Sequence, residues 1–158
     1  YKKYLCTVRW SILKPLTLIG VLFTATAFSL FSPSKLTWRE LATVSFTEFY
    51  DTQKGIWSLE AGYPEQIFAL RGKEIFITGY VLPVDNKGEI YALSAYPFSS
   101  CFFCGGAGPE TVMGLEFATP PGRLPTDAVK TYSGKLVLVQ KPENGFYFTL
   151  INVRPYTP

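Results

Sequence analysis

The stretch KEIFITGYVLPV, Lys73 to Val84, decides the fold of this chain. Ile75, Ile77, Gly79 and Val81 alternate with Phe76, Tyr80 and Leu82, the pattern of a strand apolar on both faces with a glycine at a bend or bulge. DNKGE, Asp85 to Glu89, is turn chemistry, and IYALSAY, Ile90 to Tyr96, comes back as a second strand, making a hairpin. Beyond a cysteine-containing loop, TVMGLEF supplies a third strand, which Pro120 and Pro121 break. PTDAVKTY, Pro125 to Tyr132, has the N-cap candidate Thr126 and reads as a short helix or helical turn. GKLVLVQ and FYFTLINV are two more strands joined by the turn KPENG.

Three strands, a helical connection and two strands is the order of an OB-like five-stranded barrel. We therefore expect a mainly β domain over residues 67–158, with strands near 74–83, 90–96, 111–117, 135–140 and 146–153. Twelve prolines, thirteen glycines and 16% aromatic residues in 158 suit a strand-and-turn architecture. Residues 32–66 hold Phe46, Phe49, Tyr50, Trp57 and Tyr63 without a clean period, and read as a linker and an extended arm packed on the domain.

The net charge of +3 is unevenly placed. Lys2, Lys3, Arg9 and Lys14 precede the first acid, Glu40, and from residue 15 on the chain carries one net negative charge. A near-neutral domain has no electrostatic footprint for phosphate backbones, so no nucleic-acid partner is expected. Pro15 to Phe31 carries no charge, and as a helix residues 10–31 would span about 33 Å at ~1.5 Å per residue, enough for a bilayer core. Lys14 would snorkel and Trp10 would sit at the interface. The basic residues 1–9 then lie on the cytoplasmic side of a bacterial inner membrane, and the domain is periplasmic. A cleaved leader ending at Ala25-Thr26-Ala27 is the competing reading.

SSCFFCGGAGPE, Ser99 to Glu110, is the stretch whose composition suggests chemistry. Two cysteines make half a zinc site, the chain has no histidine, and Cys6 lies beyond the apolar run. Zinc at Cys101 and Cys104 would need Glu110 or a partner chain; we expect no metal and no other cofactor, with zinc shared with a partner chain as the alternative. Haem attachment needs histidine after the second cysteine, where Gly105 stands. A thioredoxin-like dithiol wants a helix N-terminus, and the Gly-Pro continuation denies it one. An oxidising compartment favours a Cys101–Cys104 disulfide that shapes the turn. Gly105, Gly106, Gly108 and Pro109 then set the loop geometry, and Glu110 satisfies loop amides. Phe102 and Phe103, with Trp10 and Trp38, are the candidate partner contacts. Without histidine the Ser-His and Cys-His nucleophile systems are unavailable, and no catalytic residue is assigned. Tyr80, Tyr91 and Tyr96 could offer a stacking surface for a saccharide on the barrel face.

LRGKEIFITGYVLPVD, ALSAYPFSSCFFCGGAGPE and YSGKLVLV together resemble the bacterial family called domain of unknown function 3299, over about Leu70 to Val153. The resemblance implies an exported or membrane-anchored OB-like domain without an established activity. Membrane-complex partners or metal traffic are implied only by association. These expectations converge on a non-enzymatic accessory subunit whose periplasmic domain meets integral membrane protein subunits of a respiratory, photosynthetic, transport or secretion complex. A metal- or thiol-redox-handling protein using Cys101 and Cys104 is the alternative.

Overall fold

The computed structural model describes residues 32–158 apart from Asn86 and Asn144. The expected membrane helix over residues 10–31, with Trp10, lies outside the described residues, as does Cys6. Among the described residues no helix is long and apolar enough to cross a membrane.

Five strands close a barrel. They are β4 (Glu74–Pro83), β5 (Tyr91–Ser94), β6 (Val112–Phe117), β7 (Val129–Leu138) and β8 (Phe148–Pro155). β4 pairs antiparallel with β5, and β5 with β6; β6 runs parallel to β8, and β8 antiparallel to β7. Pairing of β7 with β4, from Glu74↔Lys135 to Tyr80↔Val129, completes the ring. This is the Greek-key order anticipated for an OB-like barrel, and closure removes the free edges that would otherwise invite aggregation. The alternation in β4 is the expected one, with Ile75, Ile77, Gly79 and Val81 all inward and buried. Ile75, Ile77, Val81, Tyr91, Leu93, Met113, Leu136, Phe148 and Leu150 form the body of the core.

Gly79 marks neither a bend nor a bulge. A Cβ there would meet the Ser94 carbonyl oxygen at 2.6 Å, Leu93 Cγ at 2.9 Å and Trp38 Cζ2 at 3.0 Å, so the residue is small because other groups crowd it. The ladder irregularities lie elsewhere, between Glu116 and Phe117 and between Ser133 and Lys135, where Gly134 faces the Ile151 carbonyl.

The helix expected over Pro125–Tyr132 is absent: a turn at Thr126–Asp127 leads straight into β7. Asp127 has φ +60°, a left-handed conformation that stops a helix, and Val129, Thr131 and Tyr132 favour the pleated state. Its carboxylate accepts from Phe98 N (2.7 Å), so this turn also pins the cysteine loop.

The arm is more ordered than its composition suggests. β1 (Ser34–Lys35) lies parallel to β4 at Ile75 and Phe76, the half of β4 that β5 leaves uncovered. One turn of helix, α1 (Trp38–Leu41), follows with a capping box: Glu40 N donates to Thr37 Oγ1, and Thr37 N donates to the Glu40 carboxylate. β2 (Ser45–Asp51) and β3 (Ile56–Gly62) form a separate hairpin, and α2 (Glu65–Phe68) leads back to β4. Leu36, Leu41, Val44, Ala61 and Ile67 join the barrel core. The hairpin grips the β7–β8 connection through Ala61 N to Gln140 O (3.0 Å) and Tyr147 OH to Leu59 O (2.9 Å). The Tyr63 hydroxyl lies 2.8 Å from both the Val139 and the Tyr147 carbonyls.

Candidate functional site

The connection from β5 to β6 is the cysteine loop, three short 3-10 turns at Phe98–Ser100, Phe102–Cys104 and Pro109–Thr111. Gly105 ends the second turn at φ +73°, where glycine carries no Cβ penalty. Gly106 passes the Ser100 backbone so closely that a Cβ would sit 2.9 Å from its carbonyl oxygen. Pro109 opens the third turn behind Gly108, against which the Glu110 carboxylate is packed.

The expected disulfide is not formed. Cys101 and Cys104 are both free thiols, Cys101 buried and Cys104 exposed. The Cys104 thiol donates instead to Phe98 O (3.1 Å), and its backbone N–H to Cys101 O (3.1 Å), so the turn is closed by hydrogen bonds without a covalent link. Loss of solvation, and next the adjacent Cys101 thiol, hold the Cys104 thiol above its ordinary pKa. That is the opposite of the depressed value that makes a cysteine reactive. Among the described residues no three His, Cys, Asp or Glu side chains converge as a metal site.

The three aromatic candidates among the described residues separate. Trp38 has an internal role: its indole N–H donates to Thr78 O (2.7 Å) and its ring packs on Gly79 and the core. Phe102 is half-buried against Ala92, Val112 and Phe146, a small second core on the outer face of β5 and β6. Phe103 is 46% exposed, edge-on to Phe146 with centroids 6.0 Å apart. Phe98 and Tyr96 in the same connection are exposed to a similar degree. Tyr91 is not on the surface at all. It is 1% exposed, and its hydroxyl donates to Gly122 O (3.2 Å) and accepts from Leu124 N (3.0 Å), so the imagined stacking surface of Tyr80, Tyr91 and Tyr96 does not exist.

Two features escaped the sequence reading, one buried and one exposed. Phe146, just before β8, lies over Gly114 and carries the aromatic band from the cysteine loop across the barrel face. At the far end of the β2–β3 hairpin, Trp57 is 71% exposed and meets Tyr50 edge-on at 5.5 Å, with Ile56 beside them. Both positions sit among aromatics that also line the core, so residue type alone does not separate them.

No family model and no curated protein matches the chain. It is similar to the crystal structure of a DUF3299 family protein from Pseudomonas aeruginosa PAO1, at 15% identity and a TM-score of 0.47. The match covers 80% of this chain and 98% of that one. Its family is the one the sequence resembles.

Proposed function

We propose that this chain is a non-enzymatic accessory subunit of a bacterial membrane complex, an OB-like interaction domain tethered by residues 10–31 and presented in the periplasm to integral membrane subunits. The observation that carries the reading is the aromatic band of Phe103, Phe98 and Tyr96, half-exposed on one loop and backed by Phe102 and Phe146. Aromatic rings on a braced loop are the side chains that dominate protein interfaces, because they desolvate a large area at little entropy cost. The cysteines serve this surface by holding the turn: Cys101 fills space beneath it and Cys104 ties it to Phe98.

The full-length chain extracted in mild detergent co-migrates with integral membrane subunits. The Phe98→Ser/Phe103→Ser variant, with an unchanged melting curve, does not. A monodisperse free monomer of wild-type protein overturns the reading, as does co-migration undisturbed by the double variant.

The adjacency of two free thiols supports the second reading, a metal- or thiol-redox-handling protein. Stoichiometric zinc in the purified complex, lost in Cys101→Ser/Cys104→Ser, would decide for it.

A further inference from the structure

A hollow of about 610 Å³ lies beside the start of β5, between the β4–β5 turn and the Pro120-Pro121 segment. That is within the range of small-molecule sites, roughly 300–1,000 Å³. Its apolar surface comes from Ile90, Leu115, Phe117, Pro120 and Pro121, and Ile90 is 53% exposed there with no apolar cover. The charged groups lining it are two carboxylates, Glu89 and Glu116, with no lysine or arginine among the lining residues. Register places Ile90 and Glu116 one step beyond the Tyr91↔Leu115 pair, so these two share a face, opposite to the core-packed Leu115 and Phe117.

Both walls are held independently of any ligand. The Asp85 carboxylate accepts from the backbone N–H groups of Glu89 and Ile90, each at 2.9 Å, and of Lys87 at 3.3 Å. Those bonds hold its carboxyl below the usual range. The opposite wall hangs on the buried Tyr91 hydroxyl, which takes up Gly122 O and Leu124 N. A preformed hollow spares a ligand the cost of ordering it.

We propose that this hollow binds a small organic cation with an apolar body, an aralkyl amine in chemical class, its ring against Ile90 and the prolines and its ammonium between Glu89 and Glu116. Charge complementarity selects the cation: an anion would meet two carboxylates, and a neutral apolar ligand would gain nothing from them. The site is independent of the aromatic band, whose Phe98 and Phe103 do not line it.

The test is calorimetric titration of the full-length chain in neutral detergent with 4-phenylbutylamine, and with 4-phenylbutyrate as the charge-reversed control. Saturable one-to-one binding of the amine and none of the acid is expected. Glu89→Gln and Glu116→Gln each weaken the amine about two- to fivefold, the worth of an exposed ion pair. Ile90→Ser weakens it without restoring the acid. Both carboxylate positions are exposed, so the Gln variants keep the wild-type melting temperature. Failure of the amine to saturate overturns the proposal. So does equal binding of amine and acid, or a Glu89→Gln/Glu116→Gln variant that binds as wild type does. None of these outcomes bears on co-migration with membrane subunits.

Discussion

Replacing Gly79 with alanine should cost the barrel about 2 kcal/mol, and the figure follows from what surrounds one added carbon. The new Cβ would stand 2.6 Å from the Ser94 carbonyl oxygen, 2.9 Å from Leu93 Cγ and 3.0 Å from Trp38 Cζ2. Leu93 and Trp38 can rotate away, but the Ser94 carbonyl belongs to β5, whose last ladder pair is Tyr80↔Ser94. Relief therefore means moving β5 off β4 at the point where the barrel closes. Three contacts at or below 3.0 Å place this overpacking at the upper end of a range of about 1–3 kcal/mol, and the stiffer unfolded chain returns about 0.4–1 kcal/mol, which leaves about 2 kcal/mol. In urea, at a slope of about 2 kcal/mol per molar, the midpoint of the full-length chain in neutral detergent should fall by roughly 1 M with the slope unchanged. Gly105→Ala is the comparator, with φ +73° and no atom within 4 Å of the new carbon. It should lose only the left-handed penalty, about 1 kcal/mol. A Gly79→Ala midpoint equal to or above that of Gly105→Ala would refute the claim that close packing selects this glycine.

Burial pushes Tyr63 up to about 12, so its neutral form is favoured in the folded chain. The stability this represents is complete below pH 10 and is lost as pH rises from 10 towards 12, a decline that denaturation of Tyr63→Phe should show attenuated. Asp85 runs the other way: its lowered pKa means the β4–β5 turn is held above the usual carboxylate range and released as pH falls below it, read by faster amide exchange at Glu89 and Ile90. With its raised thiol pKa, Cys104 should alkylate at neutral pH more slowly than a peptide cysteine, and buried Cys101 only after unfolding; peptide mass mapping distinguishes them. Trp57→Ser at the exposed hairpin end should change stability by less than about 0.5 kcal/mol in urea, whereas Trp38→Phe, which loses the bond to Thr78 O, should cost about 1–2 kcal/mol.

The barrel was legible because its strands carry their own signal. The alternation over residues 74–83 gives the observed bounds of β4, and turn residues punctuate the other strands. The start of β7 was misread because Thr126 imitates a helix cap, while the left-handed Asp127 beside it follows from the turn's tertiary contacts with Phe98 and Val81. The β2–β3 hairpin stayed hidden because burial along one face is uneven: Phe46 packs on Tyr147, whereas Tyr50 and Trp57, further along the same face, are exposed. Thr37-x-x-Glu40 was a readable capping box that the aromatic-rich surroundings obscured. At the site, spacing located the cysteine loop but not its redox state. Two cysteines three apart suit a disulfide or a hydrogen-bonded turn equally, and the Phe98 carbonyl that takes the Cys104 thiol is visible only in three dimensions.

Phe146 and Tyr147 are neighbours in the chain, and each is claimed by a different part of the molecule. Phe146 lies under Phe103 of the cysteine loop, and Tyr147 is clasped by Phe46, Leu59 and Tyr63 of the arm. One peptide bond therefore joins the footing of the cysteine loop to the footing of the arm, and a shift of the backbone at that bond would disturb both neighbourhoods at once.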